Sequence, residues 1–160
     1  MFSHIDDKQQ PRMVDVSGKS SSWRTATAGC TVRLPKSVQQ AFSNGEYVSH
    51  KGPVVQTAII AGVMAAKQTS QLIPFCHPLG LEKCDIDIDT TKEGDLTVVC
   101  QVGVHHRTGA EMEALTGASV AALTVYDMCK GLSHDISISD LRLHQKSGGK
   151  RDYQLDEDQA

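Results

Sequence analysis

Cys84-Asp85-Ile86-Asp87-Ile88-Asp89 is followed, after Lys92-Glu93-Gly94-Asp95, by Leu96-Thr97-Val98-Val99-Cys100-Gln101-Val102-Gly103-Val104. Successive side chains of a strand point to opposite faces, so Cys84, Ile86 and Ile88 share one face and the three aspartates the other. The second run alternates through Leu96, Val98, Cys100, Val102 and Val104. The polar break with Gly94 between them predicts an antiparallel hairpin with one apolar face.

Downstream, residues 110–132 read as the best helix in the chain, with Gly131 placed to cap its end. Residues 136–143 form a last strand. Its alternation changes parity between Ile138 and Leu141, which predicts a bulge or bend. Upstream, β-branched residues without a helical period predict a strand over residues 23–34. Pro35 can open a short helix reaching about Phe42. Ser43-Asn44-Gly45 stops it, and Lys51-Gly52-Pro53 reads as a loop. Residues 54–72 carry Ala58, Ala61, Ala65 and Ala66 at helical spacing, small enough to let another element approach closely. Pro74 and Pro78 then hold Phe75-Cys76-His77 extended. The order strand, helices, strand, strand, helix, strand predicts an α+β fold. It is a split βαβ layout with helices packed on one face of an antiparallel sheet.

The 160 residues suit one domain. A flexible arm is expected over residues 1–12, a single catalytic domain over 13–150 and a polar tail over 151–160. Aromatics make up only 4% and the net charge is −3, so neither stacking platforms nor a global positive field favours nucleic acid. Five cysteines with no Cys-x-x-Cys spacing predict reduced, mostly buried thiols in a cytoplasmic protein. Residues 1–10 lack the apolar core of a signal peptide, and no apolar run is long enough to span a membrane.

Several constellations carry titratable groups. Along the long helix, Glu113, Thr116, Val120, Leu123, Asp127 and Lys130 fall near one face. Capping electrostatics explains acids at its start and Lys130 at its end, and Asp127 with Lys130 has the spacing of a surface ion pair. A catalytic pair fits the same pattern. Glu113 and Asp127 lie 14 residues apart, about 21 Å along a helix. Both serve one small reacting centre only if the substrate is long or a second subunit closes the site. Phe75-Cys76-His77 reads as a structural turn or as a rigid edge presented to a planar heterocycle, with His77 able to move a proton. His105 and His106 point to opposite faces of a strand and do not share a metal. A solvated face accounts for Asp85, Asp87 and Asp89. Lys146-Ser147-Gly148-Gly149-Lys150 has the composition of a phosphate-gripping loop, but no helix follows it.

Six blocks match a known family in order: Met13-Val14-Asp15-Val16; Lys51-Gly52 with Ala61-Gly62 and Ala65-Ala66-Lys67; residues 72–79 around Phe75-Cys76-His77; residues 108–116 around Glu111-Met112-Glu113; residues 123–130 around Asp127-Met128-Cys129-Lys130; and residues 146–150. Together they resemble the MoaC family of cyclic pyranopterin monophosphate synthases. Two steps depart from its pattern: Pro53 follows Gly52, and no Ser-Gly step precedes Asp152.

The resemblance implies a ferredoxin-like fold and an enzyme of molybdenum cofactor biosynthesis, a phosphorus–oxygen lyase. The implied substrate is a cyclic dihydroguanosine triphosphate supplied by a radical S-adenosylmethionine (SAM) enzyme. The products are cyclic pyranopterin monophosphate and pyrophosphate. It implies a hexamer, a trimer of dimers with sites at subunit interfaces. Asp127, Lys130 and Lys51 take the catalytic positions. Phe75, Cys76, His77, Glu111, Met112, Glu113, Lys146 and Arg24 take the substrate-binding ones. No tightly bound cofactor or protein-held metal is expected, and magnesium would accompany the substrate phosphates.

Overall fold

A computed structural model describes residues 9–156 of the chain, so most of the expected N-terminal arm lies outside the described residues. Strand β1 (Ser22–Arg33) is followed by α1 (Lys36–Gln39), β2 (Val48–Ser49), β3 (Gly52–Pro53), α2 (Val54–Lys67) and α3 (Thr69–Leu72). Then come β4 (Lys83–Thr90), β5 (Leu96–His106), α4 (Glu111–Cys129), β6 (Ser137–Ser147) and β7 (Tyr153–Gln154). The large sheet has the order β4-β5-β1-β6-β7 and every pairing in it is antiparallel. With the two-residue strands set aside, this is the split βαβ arrangement of a ferredoxin-like fold.

The β4/β5 hairpin forms in the expected register, with Ile86 opposite Cys100 and Ile88 opposite Val98. Its apolar face turns towards the helices, where Leu96, Val98, Cys100, Val102 and Val104 are buried, while Asp85, Asp87 and Asp89 stay exposed. Gly94 takes φ +89° in the connecting turn, a conformation that favours glycine. Helix α4 packs across β1, β5 and β6, and α2 packs against α4 and β4. The contact between the helices is close because its residues are small. A Cβ on Gly62 would meet the Ile86 side chain and, at 2.8 Å, the Gly117 carbonyl. One on Gly117 would stand 2.6 Å from Cys100 Sγ.

The parity change in the last strand is a real irregularity. Between the pairs Gly29 with Arg142 and Thr31 with Ser139, β6 carries one residue more than β1, and Asp140 adopts φ +58°. A second extra residue, His144, falls between Gln145 and Leu143.

Four local expectations shift. The helix expected over residues 54–72 breaks at Gln68, where φ is −105° and ψ 9°. Thr69, buried, donates its hydroxyl to the Ala66 carbonyl at 2.9 Å and so closes the end of α2. The segment read as a loop at Lys51 is a tiny hairpin, Val48 pairing with Pro53 and Ser49 with Gly52. Gly52 has φ +109°, and Pro53 leads directly into α2 without obstructing it. Helix α4 ends at Cys129 without a left-handed Gly131; the Lys130 N–H bonds the Tyr126 carbonyl and the Leu132 N–H the Cys129 carbonyl. Finally, the described part of the polar tail pairs with β6 through Tyr153 and Gln154.

The five cysteines form no disulfide, and Cys30, Cys100 and Cys129 are buried. Among the described residues no helix is long and apolar enough to cross a membrane.

Candidate active site

The residues singled out in the sequence gather at the two ends of α4. At the C-terminal end, Asp127 lies between two lysines. Lys51 Nζ donates to Asp127 Oδ2 at 2.7 Å and Lys130 Nζ to Oδ1 at 2.7 Å. One turn of helix brings Lys130 back beside Asp127, whereas Lys51 arrives from the β2/β3 hairpin, 76 residues away in sequence. Ser49 fixes that hairpin by donating to the Gly52 carbonyl at 3.1 Å and accepting from the Lys51 N–H at 3.1 Å. Bonds from the two lysines hold the Asp127 carboxyl down to about 2, Lys130 being the stronger influence. Asp127 in turn raises Lys130 above the ordinary lysine value. All three groups are about half exposed. The pair read from the sequence as either surface ion pair or catalytic couple is therefore a triad, open to solvent, with a fixed anion and net positive charge.

At the N-terminal end a cleft of about 790 Å³ opens beside α4. Its apolar wall includes Ile73, Pro74, Phe75 and Leu79, and its polar groups include His77, Glu113 and Lys146. A smaller cavity of about 210 Å³ adjoins it through Gly109, Glu111 and Lys146 and adds Arg24 and Lys150. Lys146 Nζ donates to Glu111 Oε1 at 2.8 Å. Arg24 Nε donates to the His106 carbonyl at 3.3 Å, which turns the guanidinium towards the glycines of residues 146–150. Gly148 is needed there: its φ is +81°, and a Cβ would run into the Trp23 carbonyl. Ser22 holds the Gly148 carbonyl at 2.8 Å, and Asp152 accepts the Gly148 N–H at 3.1 Å. The loop is thus closed by Asp152 despite the missing Ser-Gly step.

Glu113 is 3% exposed. Burial raises its carboxyl to about 7, its own backbone N–H opposes the rise and the Glu111 charge adds to it. Burial also pushes the Cys76 thiol up, with Glu113 contributing. His106 is lowered by burial and then by its neighbours His77, Arg107 and Arg24. This end therefore holds a proton-exchanging carboxyl near neutrality beside a strip of cations. Among the described residues no group of three or more His, Cys, Asp or Glu side chains comes together as a metal cage.

The MoaC family's sequence profile matches residues 13–149. The chain belongs to the MoaC family. A cyclic pyranopterin monophosphate synthase of Xanthomonas oryzae pv. oryzae is 56% identical over 151 residues, covering 94% of this chain and 92% of the relative. One from Bacillus pumilus is 47% identical over 152 residues, covering 93% and 92%. A molybdenum cofactor biosynthesis bifunctional protein of Synechocystis is 49% identical over 156 residues, 95% of this chain but 45% of that protein.

Every catalytic or substrate-binding position named from the MoaC likeness sits at one of the two ends. Asp127, Lys130 and Lys51 share the C-terminal end; Phe75, Cys76, His77, Glu111, Met112, Glu113, Lys146 and Arg24 share the other. The structure does not join these groups within one chain. Residues missed as site residues are Val14, Val16 and Lys19 on the cleft wall. The opening motif of the MoaC pattern pointed at that segment, but nothing in its composition tells that it folds back onto residues 74–78.

Proposed function

We propose that this chain is a cyclic pyranopterin monophosphate synthase, an enzyme of molybdenum cofactor biosynthesis. It would convert a cyclic dihydroguanosine triphosphate to cyclic pyranopterin monophosphate with release of pyrophosphate. The observation that carries this reading is the Lys51, Asp127 and Lys130 triad, built from segments far apart in sequence in a chain that matches the MoaC family over residues 13–149.

The chemistry follows from the charges. Asp127 is ionised at any working pH and pins two ammonium groups in fixed directions. Asp127 raises the Lys130 pKa, which holds Lys130 as an ammonium, a fixed charge rather than a base. Opening the purine five-membered ring requires protons delivered to nitrogen, and loss of pyrophosphate requires positive charge on the departing oxygens. The cleft at the other end supplies a slot between apolar residues for the heterocycle. Glu113, near its midpoint at neutrality, takes or gives a proton there, and Glu111 accepts N–H donors of the guanidine-like edge. Arg24, Lys146 and Lys150 face the phosphates. Any magnesium would be held by those phosphates.

Glu113 and Asp127 are separated by about 21 Å of helix, so one chain does not offer both ends to one small reacting centre. We propose that two copies complete the site, the triad of one meeting the cleft of the other, within a hexamer of three dimers. Ile60, Met64 and Leu123 are each more than half exposed on α2 and α4, which suits a surface covered by another copy. A radical SAM enzyme upstream and a cytoplasmic location belong to the same reading.

The test is a coupled assay. With the cyclic triphosphate supplied, wild type should release pyrophosphate and yield a product that becomes a fluorescent pterin on oxidation. Asp127→Asn should fold normally and lose about 10²- to 10⁴-fold in turnover. No product from either protein, both being folded, would leave a nucleotide-binding module as the better reading.

A further inference from the structure

Residues 12–18 contain no helix or strand, so no ladder of hydrogen bonds fixes their course. Two local bonds shape them: the Ser17 N–H to Asp15 Oδ1 at 2.8 Å and the Lys19 N–H to the Val16 carbonyl at 3.1 Å. Both lie within the segment and make a turn without tying it to the body. Among the described residues a tie to the body comes from His77, whose Nε2 stands 2.8 Å from the Val14 carbonyl, 63 residues away in sequence. A carbonyl only accepts, so Nε2 carries the hydrogen and Nδ1 is left as the acceptor in the neutral ring. His77 itself is held in the extended run between Pro74 and Pro78. Val14 and Val16 are half-buried, and they line the cleft together with Lys19.

Resting on the reading of this cleft as the substrate's, we propose that His77 is a positioning residue that latches residues 14–19 across the cleft, and that the latched segment delivers Lys19 as a further cation for polyphosphate. Charge supports the choice of ligand. Lys146 in the same cleft is engaged by Glu111, whereas among the described residues no side chain pairs with the Lys19 ammonium. Nothing lies within 4 Å of a Cβ placed on Gly18, so the turn that carries Lys19 has room to adjust to an anion. Ammonium-to-phosphate bonds are among the stronger polar contacts. A cation on a segment that His77 ties to the body gains or loses its effect with that bond.

The experiment is calorimetric titration of inorganic tripolyphosphate into the full chain at low salt. Lys19→Gln should raise the dissociation constant roughly tenfold, and Lys19→Arg should restore it. His77→Phe, which keeps the ring and removes the donor, should weaken binding to a similar extent, and His77→Gln should recover part of the loss. The double variant Lys19→Gln/His77→Phe should be no weaker than either single variant, because both act through one contact. Hydrogen exchange supplies a local readout: in His77→Phe the Ser17 and Lys19 amides should exchange faster while β5 stays protected. Wild-type affinity in Lys19→Gln, no saturable binding to wild type, or strictly additive losses would overturn the proposal. Should His77→Phe also lose β5 protection, the Lys19 variants alone decide it. The probe is a bare polyphosphate and the readout is binding, so failure here leaves the proposed reaction standing, and absence of turnover leaves this result intact.

Discussion

At the residue scale, two acids on one helix are set apart by their surroundings. Asp127 faces solvent between two ammonium groups and is held down to about 2; Glu113 is buried and lifted to about 7. The consequence for Glu113 is measurable as stability. A carboxyl with a higher pKa in the folded chain contributes fully below its unfolded value, and loses that contribution as pH rises from there through about 7. Wild type should therefore lose up to a few kcal/mol between pH 5 and pH 8 in denaturant titrations, and Glu113→Gln should flatten that decline. Parallel pH dependence in the two proteins would contradict the buried-acid assignment. The charge types were legible in the sequence: Asp127, Lys130 and the acids of the first helical turn stand at helix ends. What spacing does not reveal is burial. A glutamate in a first turn reads as an exposed cap, whereas Glu113 is an enclosed acid with Cys76 among its neighbours. Lys51 likewise joins Asp127 through a hairpin that its Lys-Gly-Pro sequence presents as a simple loop.

At the element scale, α2 and α4 lie close enough for glycines to be required at their crossing. Gly62→Ala would press a methyl group on the Gly117 carbonyl and the Ile86 side chain. A loss of about 1–3 kcal/mol is expected, read as a lower denaturant midpoint with an unchanged slope; a neutral result would show that the helices shift apart at little cost. The spacing matters for function because α4 sets where both groups of site residues stand. Much at this scale follows from local pattern. Period-two alternation gave the β4/β5 hairpin, and the parity change between Ile138 and Leu141 marked the bulge at Asp140. The break at Gln68 and the end of α4 without a glycine cap were not legible. Both depend on hydrogen bonds, from the Thr69 hydroxyl and from the backbone of Lys130 and Leu132, which compete with the residue preferences used to place helix ends.

At the scale of the whole molecule, a ferredoxin-like body displays two groups of titratable side chains at opposite ends of one helix. The length of α4 keeps both groups from one small reacting centre within a chain, a limit that follows from sequence spacing and helical rise alone. Which surfaces meet is a property of assembly, and local patterns in one chain do not encode it in readable form. Mixing two inactive variants tests the account most directly. Asp127→Asn lacks a working triad and Lys146→Gln lacks part of the cleft. If sites form between copies, dissociating and reassembling an equal mixture should pair an intact triad with an intact cleft in roughly a quarter of the sites. Activity in the reassembled mixture well above that of either variant alone is the predicted result. Activity that never exceeds the sum of the separate variants, in an assembly shown to contain both chains, would contradict a site shared between subunits.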